Sequence, residues 1–264
     1  RRHDFLWHFL LQSFATMGRA GGWHGLIGNR QNYDALAYEK LAAMPTDQRA
    51  SHVAEVCHRA GIRMPDMKAG YICGCFDVIQ GLGGPEMARD RLLALVGREA
   101  KIEFLKRFPG IGPKYSRNIM MDVYHQDFRN SIAIDTRIEG VSAAYGLTFS
   151  SYDEHERFWL DVAHEAGIEG WELDRLLFHF QKEFLPDSGE PRVPSASISG
   201  QDASKVSFQV KSSSKRATAM RKHNGSGYVQ VKIRFCTTYP FAGLGALGMW
   251  YGDVVSAEMP KWER

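Results

Sequence analysis

A chain of 264 residues with 44% hydrophobic content is long and apolar enough for one large core or two smaller ones. Its net charge of +3 excludes a broadly basic surface, so any affinity for nucleic acid must come from local clustering. No apolar run reaches the ~20 residues that span a bilayer, and no signal-peptide pattern is visible. Four cysteines (Cys57, Cys73, Cys75 and Cys236) form no paired framework, which fits a reducing, intracellular compartment. The first residue is Arg1 rather than Met, as in a fragment or a trimmed protein.

Residues 4–20, DFLWHFLLQSFATMGRA, place Phe5, Leu6, Phe9, Leu10 and Phe14 on one face of a core helix, with Gln12 and Ser13 towards its far end. The run Gly21-Gly22-Trp23-His24-Gly25 is too glycine-rich for a helix interior and predicts an aromatic loop that caps the core or lines a pocket. Over 33–70 two or three helices are expected, punctuated by Pro45 and Pro65, with Thr46 as an N-cap. Tyr71, Ile72, Phe76, Ile79 and Leu82 continue at helical spacing until Gly83-Gly84-Pro85. On that stretch Cys73 and Cys75 read as two helix cysteines rather than as half of a metal site. Leu92, Leu93 and Leu95 are expected to run on into a helix over 101–108.

The stretch 104–138, FLKRFPGIGPKYSRNIMMDVYHQDFRNSIAIDTRI, carries the functional signal. A tight turn, Pro109-Gly110-Ile111-Gly112-Pro113, separates two helical segments, and Pro113 suits a first helical position, where its missing N–H costs nothing. Such a helix-hairpin-helix offers backbone amides to phosphate and grips nucleic-acid backbone without reading sequence. Further on, Asp135 stands in the apolar run Ile132-Ala133-Ile134. A carboxylate there is costly unless it caps a helix or does chemistry, and both are expected, with a helix starting at Thr136. Helical spacing then recurs over 141–145, 152–166 and 171–184, the last with Leu173, Leu176, Leu177, Phe180 and Phe184. Tyr115 is expected to pack away from Lys114.

The character changes at Pro186. Residues 188–264 are rich in Ser, Gly and basic side chains, and read as a linker and tail of unknown role after a helical domain over 1–187. Within the tail, 206–210 and 228–233 alternate like short strands, so its structure is expected to be partly β. Lys211, Lys215, Arg216, Arg221, Lys222 and His223 form a basic run, either a solvated tail or a strip along phosphate, and 241–251 is an apolar, glycine-rich stretch.

FPGIGPK followed by IAIDTRI resembles the signature of the helix-hairpin-helix DNA glycosylase superfamily (HhH-GPD), which includes endonuclease III and 8-oxoguanine glycosylase. The resemblance covers about residues 4–185, and Lys68-Ala69-x-x-Ile72 is similar to the endonuclease III helix that precedes the hairpin helix. It implies an all-α, two-lobed fold with a cleft between the lobes. It further implies base-excision repair of double-stranded DNA carrying a damaged base or an abasic site, by a monomer of the cytoplasm, nucleoid or nucleus. Lys114 falls on the nucleophile of the bifunctional members, which are AP lyases as well as glycosylases, and Asp135 on the aspartate that assists it. Gly110, Ile111 and Gly112 fall on the phosphate grip. LLQSFAT resembles the stretch that fills the gap left by an everted base, with Gln12 as the wedge beside Ser13, or Phe14 if the register slides by two. The four cysteines that hold an iron–sulfur cluster in endonuclease III have no counterpart, since only Cys236 lies beyond Asp135, so no metal cofactor is expected; a monovalent cation at the hairpin is the one ion the resemblance admits. A non-catalytic DNA-binding module remains the alternative, with Lys114 a phosphate contact and Asp135 a helix cap; a monofunctional glycosylase lies between the two.

Overall fold

The computed structural model describes residues 2–18 and 21–185, and among them every regular element is helical. Twelve α-helices follow in order: α1 (Phe5–Thr16), α2 (Gly21–Leu26), α3 (Arg30–Ala35), α4 (Tyr38–Ala42), α5 (Thr46–Arg59), α6 (Pro65–Gly81), α7 (Pro85–Ala94), α8 (Arg98–Leu105), α9 (Pro113–Asp122), α10 (Thr136–Ala144), α11 (Tyr152–Ala166) and α12 (Gly170–His179). Three of them, α6, α7 and α9, begin on a proline, whose fixed φ suits the first turn. The strand-like stretches, the basic run and the apolar stretch of the tail, with Cys236, lie outside the described residues. Among the described residues no helix is long and apolar enough to cross a membrane.

Several boundaries differ from expectation for identifiable reasons. The glycine run after α1 is a helix, because α2 lies too close to its neighbours for side chains. A Cβ on Gly22 would stand 2.2 Å from the Ala15 carbonyl oxygen, and one on Gly25 would stand 1.8 Å from that of Ala60. Close packing here overrides low helix propensity. Helix α1 is buried nearly all round: Trp7, Leu11 and Ala15 join Leu6, Leu10 and Phe14 in the core, while Phe5 and Phe9 are only half-buried. Pro45, not Thr46, occupies the cap of α5. Leu95 does not continue into the next helix, since Gly97 at φ +79° turns the chain before α8. Helix α12 stops at His179, and a 3-10 turn over Gln181–Phe184 follows, leaving Phe180 exposed.

The buried apolar side chains form two clusters. The larger gathers α1 to α9; the smaller gathers α10, α11 and α12. Their seam runs along residues 132–134, where Ile132 and Ile134 pack into the smaller cluster and Ala133 into the larger. That alternation is the period of extended chain, so three apolar residues tie both clusters together.

Two buried histidines make the fold acid-sensitive. His8 Nδ1 lies 2.9 Å from the Tyr33 hydroxyl, which also accepts from Arg2. His155 Nε2 lies 2.7 Å from Ser142 Oγ, and the Trp159 indole N–H donates to it at 3.2 Å. Burial lowers both imidazoles to about 4, helped at His8 by the Arg2 charge. Because the folded values lie below the unfolded ones, their contribution is present above about pH 6.5 and is lost as pH falls towards 4. The loss should be on the order of 3 kcal/mol at His8 and less at His155, which solvent screens in part. Melting temperatures measured across that window should fall, and His155→Phe should flatten the dependence.

Candidate active site

The hairpin between α8 and α9 is seated on α6 and α1. Gly110 adopts φ +80°, and a Cβ there would meet the Tyr71 ring at 2.6 Å and the Phe14 ring at 2.9 Å. A side chain is thus barred twice, by backbone conformation and by space. Beneath it, a Cβ on Gly74 would come 2.9 Å from Pro109 Cγ, and the Cys75 thiol donates to the Pro109 carbonyl at 3.5 Å. Cys75, with Gly74 beside it, therefore packs the hairpin from below. Ile111 is buried, and its N–H donates to the Phe108 carbonyl. Of the three predicted grip residues, Gly112 alone has open space where a Cβ would stand. It caps α9, whose first intrahelical bond runs from Ser116 N–H to the Gly112 carbonyl; the amides of Lys114 and Tyr115 precede that bond.

Lys114 occupies the second position of α9 and is half-buried, with Nζ 4.4 Å from the centre of the Tyr115 ring. Tyr115 packs on the core as expected, but it also forms a wall beside the amine. Burial lowers the Lys114 pKa, and Arg137 pushes the same way. Asp135, Asp174 and Asp122 oppose, in that order of strength. The net direction is down, so desolvation outweighs three carboxylates.

Asp135 sits where the sequence placed it, at the N-cap of α10. Its Oδ1 accepts the N–H groups of Arg137 at 2.9 Å and Ile138 at 3.1 Å. The lysine belongs to a helix of the larger cluster and the aspartate to the first turn of a helix of the smaller one, on either side of the seam.

Gln12 reaches this site in an unexpected role. It is buried, and its amide donates to Asp122 Oδ2 at 3.1 Å, while Arg175 Nη2 meets Asp122 Oδ1 at 2.6 Å. Ser13 is buried too, its hydroxyl bonded to the Phe9 carbonyl one turn back. Phe14, the other candidate, is fully buried against the hairpin. None of the three projects from the surface as a wedge would.

Sequence reasoning missed the residues that hold the site together. Glu156 of α11 is 1% exposed. Its Oε1 accepts the Ile132 N–H at 3.0 Å, and its Oε2 accepts from Arg117 Nε at 2.9 Å. Arg98 adds a forked pair at 3.1 and 3.2 Å, and Arg117 also donates to the Pro113 carbonyl at the head of α9. Asp174 of α12, likewise buried, accepts the next amide, that of Ala133, at 2.8 Å. The signal for both was available: each is an acid set within the apolar stripe of its helix, Glu156 among Tyr152, Trp159 and Ala163, and Asp174 beside Leu173 and Leu177. Among the described residues no group of three or more His, Cys, Asp or Glu side chains is placed to hold a metal ion.

No protein-family model, curated protein or solved structure matches the chain.

Proposed function

We propose that the protein is a DNA glycosylase of the helix-hairpin-helix type with an associated lyase step, acting on double-stranded DNA that carries a damaged base or an abasic site. The observation that carries this reading is Lys114: a desolvated amine at a helix N-terminus, with Asp135 the strongest of three carboxylates whose charge bears on it. A lysine that only grips phosphate does best extended into water. Lys114 is drawn inward, against a tyrosine ring and among carboxylates. The two clusters joined at 132–134 also suit the two-lobed glycosylase fold.

In this mechanism the target nucleotide leaves the stack, since its C1′–N bond is inaccessible inside the duplex. Burial keeps a fraction of Lys114 in the neutral form that can attack. The amine bonds to C1′ as the C1′–N bond breaks, and the base departs with the bonding electrons and takes up a proton. Loss of the amine proton and opening of the sugar give an imine, and β-elimination then breaks the C3′–O bond. Asp135 stabilises the positive charge that builds on the sugar. Duplexes bearing an oxidised purine, an oxidised pyrimidine or an abasic site, incubated with the full chain and borohydride, test the proposal. A covalent complex is expected on at least one of them and none on undamaged duplex; no complex on any would favour the binding-module reading.

The phosphate grip has its own test. Gly112→Asp places a carboxylate in the open space before α9, where a phosphate oxygen would lie. Affinity should fall by roughly tenfold or more on damaged and undamaged duplex alike, about the worth of one charged hydrogen bond. Gly112→Ala, for which the same space is free, should fold normally and lose less. Unchanged affinity of the aspartate variant at moderate salt would remove the hairpin from the interface.

A further inference from the structure

The segment that delivers Asp135 has no strand partner among the described residues. Two consecutive amides are held instead by two buried acids from different helices, Ile132 by Glu156 and Ala133 by Asp174. The two acids are not equivalent. Glu156 has both oxygens taken by arginines. Asp174 spends Oδ1 on Ala133, and its Oδ2 lies 3.7 Å from Arg175 Nη1. It is 4% exposed, and its negative charge bears on Lys114.

We infer that Asp174 is a positioning residue for Asp135: its buried carboxylate accepts the Ala133 N–H and so fixes the segment that presents Asp135. The role in catalysis rests on the glycosylase reading; the role in geometry does not.

The charged groups around Lys114 and Asp174 are few. Lys114 is faced by Asp122 from its own helix, by Asp135 and Arg137 from the start of α10, and by Asp174 from α12. Asp174 is faced by Arg175, Asp135 and Lys114, and burial raises its carboxyl to about 6. Above that pH it carries the charge that favours the Lys114 ammonium. Asp174→Asn keeps an oxygen for the Ala133 N–H and removes the charge. Asp174→Ala removes both.

The test uses the full chain without DNA. Hydrogen exchange at Ala133 should accelerate in Asp174→Ala and stay near wild type in Asp174→Asn. The asparagine variant should melt no lower than wild type at pH 7, because the buried charge it removes is unfavourable there. Base release measured in parallel should fall roughly 10²-fold in Asp174→Ala, as for a misplaced reacting group, and the asparagine variant should recover most of it. Unchanged exchange at Ala133 in the alanine variant, or base release as low in the asparagine variant as in the alanine variant, overturns the inference. Faster exchange at Ala133 in the alanine variant, with no base release by wild type on any duplex, would leave Asp174 its role and sink the glycosylase reading alone.

Discussion

With Lys114 replaced by glutamine, borohydride is expected to trap no covalent complex on an abasic duplex, while binding to that duplex persists. Glutamine approximates the length and polarity of lysine but offers no amine for imine formation. The half-buried setting against Tyr115 accepts a neutral side chain without loss, since burial already works against the ammonium there. Asp135→Asn should separate from it. Asparagine caps helices as well as aspartate does, so the bonds to Arg137 and Ile138 should survive. What disappears is the negative charge opposite the developing cation, and single-turnover base release should fall by ~10²–10⁴. Release at the wild-type rate in the asparagine variant would make Asp135 a helix cap and nothing more.

The largest effect on stability is expected at Glu156. Removing its carboxylate, as in Glu156→Leu, strands Arg117, which is 2% exposed and cannot turn to water, and orphans the Ile132 N–H. Breaking a buried pair from one side costs about 3–5 kcal/mol, a large share of the ~5–15 kcal/mol that holds a protein folded. The melting temperature should drop on the order of 10 °C. Glu156→Gln, which keeps an acceptor for Ile132, should cost less. A leucine variant within about 1 kcal/mol of wild type in urea unfolding would show that Arg117 finds other partners, with Asp153 at 3.3 Å the nearest candidate.

The all-helical class and the cap at Asp135 were legible because each rests on local chemistry. Helical spacing, proline at helix starts and the aspartate before Thr136 are decided within a few residues of chain. Residues 152–166 appear as α11 with the expected bounds. What escaped depends on contacts between distant segments. The glycine run at 21–25 looks like a loop until Ala15 and Ala60 close on it. Gln12 looks free to project until Asp122, far along the chain, claims its amide. Glu156 and Asp174 stand in the apolar stripes of their helices, yet a sequence does not say which buried acid will meet a bare backbone amide. Ile111 fits the turn motif, yet its amide is spent inside the turn.

The central claim is that Lys114 is an amine poised to attack a sugar carbon. Wild-type full chain should be treated with borohydride on abasic duplex, and the complex digested and mapped by mass. A single adduct on the peptide that contains Lys114, formed only when an abasic site or lesion is present, is the predicted result. An adduct on another lysine, or a complex formed equally with intact duplex, would contradict it.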